Sequence, residues 1–465
     1  MRHRPGTKSW SGQALLAMAG LALLLIGCAG SGNLANPFGG PQARPPIASG
    51  PQPVQPLLAP APALPPPVPT PPPQDRITLT PPPATGDLPV VAILLPLSGR
   101  DAQLGQQMLE AAELALFDSA DERFTLLPVD TGGTPGGAVE AAEKAIGQGA
   151  RLILGPLFGT EASAVGPIAR SAGINVITFS NDQSVAGDNV FVFGFLPRPQ
   201  VERIVAYAAS KGARRFAVLA PRGGFGDTVT DELQKAARAH RAQVTRSETY
   251  DPGSADLSPT LRRLADFERR SLALANEKRQ YEGKTDEVSR QALRRLEGLQ
   301  GQGDLGFDAL LLPEGGDRLR LVAPLLTSYD VDPKNVRILG TVLWDDPTLA
   351  AEPSLRGAWF VAPPPEARAD FEAAYEKTYQ RKPPRLASLA YDLVALAAIL
   401  AKIDARPDFS RQALTQATGF AGVDGLFRFL PDGRSERGYA VLEIGDRQRR
   451  VVDPAPESFA GPLTN

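Results

Sequence analysis

The chain has 465 residues, a formal net charge of -2, one cysteine and two histidines. A balance so near neutral gives no global electrostatic case for nucleic acid, and a single cysteine rules out disulfide frameworks and Cys-rich zinc or redox sites. The length exceeds what one core usually supports, about 250–300 residues, and predicts more than one lobe.

The chain opens on a basic stretch, Arg2, His3, Arg4 and Lys8, followed by the aliphatic run Ala14 to Ile26. Roughly a dozen apolar residues is short for a bilayer span and fits the core of a secretory signal. Leu25-Ile26-Gly27-Cys28 closes the run and resembles the bacterial lipobox, which implies that Cys28 becomes the lipid-modified first residue of the mature chain. The resemblance implies several acyl chains, since one alone binds a membrane marginally. Ala29, with no Asp beside Cys28, resembles an outer-membrane sorting signal, so an envelope lipoprotein facing the periplasm is expected, in the outer membrane. With His3 in the leader, only His240 could serve a triad or metal site, and it reads as the exposed end of a helix.

Residues 29–88 are dense in proline, with runs at Pro65 to Pro67, Pro71 to Pro73 and Pro81 to Pro83. Such composition favours extended polyproline II, whose rise of ~3.1 Å per residue gives an upper reach on the order of 190 Å. A tether is predicted; the rival reading is a ligand for a proline-recognising domain.

From Val90 the pattern alternates strands and helices. Strands are expected at Val90 to Leu95, Phe124 to Val129, Leu152 to Leu154 and Asn175 to Phe179, with helices at Leu104 to Phe117, Ala138 to Gln148 and Ala162 to Ser171. The rhythm restarts with a helix over Val201 to Lys211 and strands at Phe216 to Ala220, Ala309 to Leu312 and Arg337 to Gly340. Continuous apolar strands between helices predict an α/β fold of two doubly wound lobes. A charged helical hairpin, about 258–302, interrupts the second lobe, with apolar stripes Leu261, Leu264, Leu272, Ala275 and Val288, Ala292, Leu296, Leu299, and a turn at Gly283. It reads either as a partner-binding element or as a solvated protrusion.

Ligands of such sheets collect at the carboxyl ends of strands, where loops and helix starts present backbone N–H groups. The small and polar residues there make Ser98, Gly99, Asp130, Gly155, Pro156, Ser180 and Asn181 candidates in the first lobe, and Phe225, Glu314 and Asp345 in the second. Equally, Gly, Ser and Asp are ordinary turn residues. No catalytic set, cofactor or metal is expected.

The element order, with Val91 to Gly99, Leu104-Gly105, Ile153 to Pro156, Ile177 to Ser180, Leu339 to Thr341, Gly357 to Phe360 and Ala390 to Asp392, resembles the type I periplasmic binding proteins, especially the leucine/isoleucine/valine-binding branch. That family implies three crossovers, placed near Pro197, Gly357 and Arg406. The two-lobed domain is then about 89–452, with lobe 1 at 89–197 and 357–405 and lobe 2 at 198–356 and 406–452. A closing hairpin, Gly425 to Phe429 with Tyr439 to Ile444, would return to the second lobe. The chain departs from amino-acid binders at Leu157-Phe158-Gly159, where a small hydroxyl residue is usual, and at Asp182, which disfavours a carboxylate ligand. A lipobox, a long arm and a charged insert also resemble the penicillin-binding protein activators, the LpoA-like lipoproteins, though their front helical-repeat domain is missing. That resemblance implies a non-enzymatic lipoprotein that activates a peptidoglycan synthase by contact, with Arg262, Arg263, Arg269, Arg270, Arg294 and Arg295 as partner-contact candidates. The alternative is a lipid-anchored solute-binding protein of an ABC transporter for amino acids or related small molecules.

Overall fold

The computed structural model describes residues 88–119, 124–331, 333, 335–402 and 407–459. The leader, Cys28 and the proline-rich segment up to residue 87 lie outside the described residues. In chain order the first lobe opens with β1 (Val90–Leu95), α1 (Ala102–Asp118), β2 (Thr125–Asp130), α2 (Pro135–Gly147), β3 (Ala150–Leu154), α3 (Gly159–Ser171), β4 (Asn175–Thr178) and β5 (Val190–Val192). These form a wholly parallel sheet in the order β2-β1-β3-β4-β5. The apolar run of β1 is buried because helices cover both faces: Ile93 and Leu95 face Met108 and Ala112, whereas Ala92 and Leu94 face Ala138 and Ala142.

The second lobe holds α4 (Pro197–Ser210), β6 (Arg215–Pro221), α5 (Gly224–Ala239), β7 (Gln243–Tyr250), α6 (Ser258–Leu264), α7 (Phe267–Tyr281), α8 (Glu287–Leu296), β8 (Ala309–Leu311), α9 (Gly316–Thr327), β9 (Arg337–Gly340) and β10 (Trp359–Ala362). Next come α10 (Pro365–Tyr379), α11 (Ala387–Leu400), α12 (Arg411–Leu414), β11 (Phe420–Gly422), β12 (Gly425–Phe429) and β13 (Ser435–Arg437), and the chain ends with β14 (Ala440–Ile444) and β15 (Arg449–Asp453). The second sheet runs β15-β14-β10-β9-β8-β6-β7, with β14 antiparallel to both β10 and β15. Each sheet reverses its strand order beside its first strand, at β1 and at β6, which sets the mouths of both lobes. Strand β7 escaped the sequence reading because it is an edge strand that alternates partly exposed polar residues, among them Arg246 and Glu248.

Two crossovers differ from expectation. Gly357 is still in the second lobe, its N–H bonded to the Ile444 carbonyl, and β10 lies between β9 and β14. The chain leaves that sheet only at Pro363-Pro364, where two prolines end the strand. Arg406 lies outside the described residues, but no return occurs near it: Phe409, Leu414, Phe420, Phe427 and Phe429 all pack in the first lobe's core. The predicted closing hairpin is therefore split. β12 pairs with β13 in a small sheet on the first lobe, where Phe429 meets Phe191 edge-on at 5.4 Å, and β14 pairs with β10 in the second. Burial of these aromatic rings, not the turn at Pro431 to Gly433, decides the partition.

The insert is three helices rather than a hairpin. Leu261 and Leu264 of α6 are buried in the second lobe's core, then Asp266 takes a left-handed φ of 48° and breaks the run. This break rotates α7, so that Leu274 is buried while Leu272 and Ala275 of the expected stripe are exposed. Gly283, at φ 78°, turns the chain into α8, where Ala292 and Leu296 are buried but Val288 and Leu299 are exposed.

Candidate functional site

Three loops at the mouth of the first lobe spend their backbone donors internally. Asp130 Oδ1 accepts the N–H groups of Leu97 (2.8 Å), Ser98 (3.1 Å) and Gly132 (2.8 Å). Burial works against this carboxylate, yet the hydrogen bonds from Ser98, Gly132 and Leu97 together hold its pKa below the usual range. At the start of α3 the buried Glu161 accepts the Phe158 N–H at 3.1 Å. Burial pushes that carboxyl above its ordinary value, against hydrogen bonds from Thr131 and Phe158. Helix starts attract anions through free N–H groups; here the chain's own carboxylates supply the negative charge.

The ten cleft candidates therefore divide. Ser98, Gly99 and Asp130 form a self-contained turn. Gly155 and Pro156 are buried, and a Cβ at Gly155 would lie 2.2 Å from the Leu94 carbonyl oxygen, so this glycine serves strand packing. Glu314 turns to the Tyr250 hydroxyl and the Gly315 N–H, and burial pushes its carboxyl up. Ser180, Asn181, Phe225 and Asp345 do come together, in the wall of a cleft of about 610 Å³ between the lobes.

This cleft is mostly apolar. Leu157, Phe158, Phe179 and Leu386 come from the first lobe, Phe195 from the first crossover, and Phe225, Val229, Val342 and Leu343 from the second lobe. Gln200 braces the crossover, donating to the Phe195 and Leu196 carbonyls (3.0 and 2.9 Å) and accepting the Val342 N–H at 2.9 Å.

Arg385, which the sequence reading missed, supplies the positive charge. Its Nη1 donates to both oxygens of the buried Asp424 at 3.1 Å each, and its guanidinium lies 4.2 Å from the Phe195 ring centroid. Across the cleft its Nε is 3.6 Å from Asp345 Oδ2, while Asp345 Oδ1 accepts Arg449 Nη1 at 2.7 Å. Among the described residues this is the one ion pair that joins the lobes. A lone arginine in a Lys-Pro-Pro-Arg loop carries no sequence signal; only the fold brings it to Asp345.

Behind Arg385 lies a buried ionic cluster. Asp424 also holds Ser388 Oγ (2.7 Å) and Arg368 Nη1 (3.3 Å), and Arg437 sits 4.1 Å from the Phe193 centroid and 3.9 Å from Asp392. Burial chiefly, with the Asp424 charge, pushes Asp392 up to about 7, whereas opposing arginines hold Asp424 low against its own burial.

The partner-contact arginines also divide. Arg270 is a structural lock, 4% exposed, with Nη2 on Asp330 at 2.9 Å and further bonds to the Gly303 and Tyr329 carbonyls. It cannot meet a partner because the turns before α6's successor and after α9 close over it. Arg262, Arg263, Arg269 and Arg294 are exposed and paired with Glu268, Glu248, Asp266 and Glu287. Arg295 is exposed with no partner among the described residues. No group of three or more His, Cys, Asp or Glu is placed to hold a metal among the described residues, and no helix there is long and apolar enough to cross a membrane.

A family model described as periplasmic binding protein matches residues 90–279. Among curated proteins, an uncharacterised protein of Rickettsia prowazekii is 27% identical over 175 residues, 38% of this chain and 47% of that one. A Leu/Ile/Val-binding protein of Rhizobium johnstonii is 24% identical over 185 residues, 37% of this chain and 50% of its own. The chain thus spans about half the length of the curated relatives it matches. Among solved structures, an ABC transporter substrate-binding protein from Sphaerobacter thermophilus aligns with TM-score 0.60 at 19% identity, covering 79% of this chain and 98% of that one. A solute-binding protein from Rhodopseudomonas palustris, solved with 3,4-dihydroxybenzoic acid, aligns with TM-score 0.56 at 16% identity over 81% and 99% of the two chains. The chain has the type I periplasmic-binding-protein fold, leucine-binding-like, with parallel sheets flanked by helices.

Proposed function

We propose that the two-lobed unit is a non-enzymatic, lipid-anchored binding protein of the cell envelope that takes a small, largely apolar molecule between its lobes. The observation that carries this reading is the aromatic cleft of about 610 Å³, within the size range of small-molecule sites. The chain passes between the lobes three times, before α4, after β10 and between β13 and β14, and such connections supply the hinge that lobe closure needs. The fold favours a periplasmic or envelope location, and Cys28 is the proposed lipid attachment point. Asp130 and Glu161 argue against the backbone grip on an α-carboxylate that an amino-acid binder would use at these loops. A flat apolar molecule fits the four phenylalanines better. The test is a melting-shift screen of the full chain, with calorimetry on each hit, against amino acids, aromatic acids and their neutral analogues. A saturable shift abolished by Phe225→Asp supports the reading; no shift with any ligand overturns it.

A second reading, contact with a peptidoglycan synthase that raises its activity, draws support from the insert. Leu272 and Val288 are 60% and 74% exposed there, and the same insert carries the unpaired Arg295. Activation would require tighter binding to the synthase's active conformation than to its inactive one. Capture of a synthase from envelope extracts by the full chain, lost on deletion of residues 267–299, would favour it; equal capture by both forms would exclude the insert as the contact.

A further inference from the structure

The guanidinium of Arg385 is held from three sides and left unsatisfied on the fourth. Asp424 and Ser388 fix Nη1, and the Phe195 ring lies under the guanidinium plane. Nε and Nη2, which form the side-on edge suited to a bidentate carboxylate, have no hydrogen-bond partner and are shielded from solvent. A charged donor left in that condition signals a partner to come. The carboxylate oxygen facing that edge is Asp345 Oδ2, too far at 3.6 Å for a good hydrogen bond, while Oδ1 of the same carboxylate accepts from Arg449 at 2.7 Å. Asp345 rides on the second lobe and Arg385 on the first, so opening the cleft separates them and bares the edge. The neighbouring Asp346 does not oppose an anion with a free charge, because Arg320 Nη2 holds it at 2.8 Å.

We propose that the Nε–Nη2 edge of Arg385 is a carboxylate site, covered by Asp345 until a ligand replaces it, and that the cleft takes carboxylic acids with a flat apolar body. This rests on the reading of the cleft as a ligand site. The acid group sits on Arg385 and the body lies among Phe158, Phe179 and Phe225. Asp345 is then an internal competitor, and it sets a threshold that neutral rings do not have to meet.

The experiment measures benzoate and benzamide binding to the full chain by calorimetry, in the parent, Asp345→Asn and Arg385→Lys. Benzoate should bind the parent more tightly than benzamide by about tenfold, the factor that ~1.4 kcal/mol gives. Asp345→Asn, which keeps an acceptor for Arg449, should raise the preference for benzoate over benzamide beyond that of the parent. Arg385→Lys keeps the charge facing Asp424 but loses the two-donor edge, and should remove the preference for benzoate over benzamide. If benzamide binds the parent as tightly as benzoate, or Asp345→Asn leaves the ratio of the two affinities unchanged or lower, the inference falls while the cleft reading stands. If neither compound nor any other in the panel binds parent or variants, both fall.

Discussion

Replacing Arg270 by methionine tests whether the insert is tied to the second lobe by a buried charge or by its apolar contacts. The side chain is 4% exposed, its partner Asp330 is 19% exposed, and three carbonyls, of Gly303, Ala265 and Tyr329, also accept from its N–H groups. Methionine keeps most of the volume but strands a carboxylate and those carbonyls. Breaking a buried pair this way costs about 3–5 kcal/mol, and the residual hydration of Asp330 favours the lower end. For roughly 370 folded residues, unfolding entropy near 2.1 cal/mol/K per residue gives about 0.8 kcal/mol/K, so Tm should fall by about 4 °C. Thermal melting by circular dichroism reads this directly, and hydrogen exchange should accelerate across α7 and α8. Arg295→Met, at an exposed position without a partner, serves as the control and should leave Tm where it was. A drop below about 1 °C in Arg270→Met would refute the assignment of the guanidinium as the lock.

Gly105→Ala should destroy the fold of the first lobe, since its Cβ would lie 2.0 Å from the Pro96 carbonyl oxygen; a soluble variant with parental Tm would contradict that packing. Asp392 gives a pH dependence of defined sign. Burial chiefly raises its folded pKa to about 7, above an unfolded value near 3.9, so the folded chain retains a proton that the unfolded chain has released. Stability from this group is therefore lost as pH rises from about 4 to about 7. Asp392→Asn keeps an acceptor for the Val423 N–H, which lies at 2.7 Å, and should flatten the Tm difference between pH 5 and pH 8; identical differences in parent and variant would refute the assignment.

The alternation of apolar strands and amphipathic helices was legible because each parallel strand is buried on both faces and declares itself locally: Val90 to Leu95 was found to the residue. The insert was visible as a charged interruption, but its phase was not, because one left-handed residue, Asp266, rotates α7 against α6. The crossovers failed for a related reason. Whether β10 or β12 sits in one lobe or the other depends on partners far along the chain, Ala440 to Ile444 for the former and Phe191 and Phe193 for the latter.

By itself the sequence determined the class of fold, the two lobes, the scarcity of cysteine and histidine and the lipobox-like mark at Cys28. Those follow from composition and from periodicities within single elements. Only the tertiary structure decided that Arg270 is a lock while Arg295 is free for contact, that Asp130 and Glu161 close the loops expected to hold a ligand, and that Arg385 meets Asp345 across the cleft. The strength of a charge depends on what surrounds it and on how much water it keeps, and residues tens to hundreds of positions away set both.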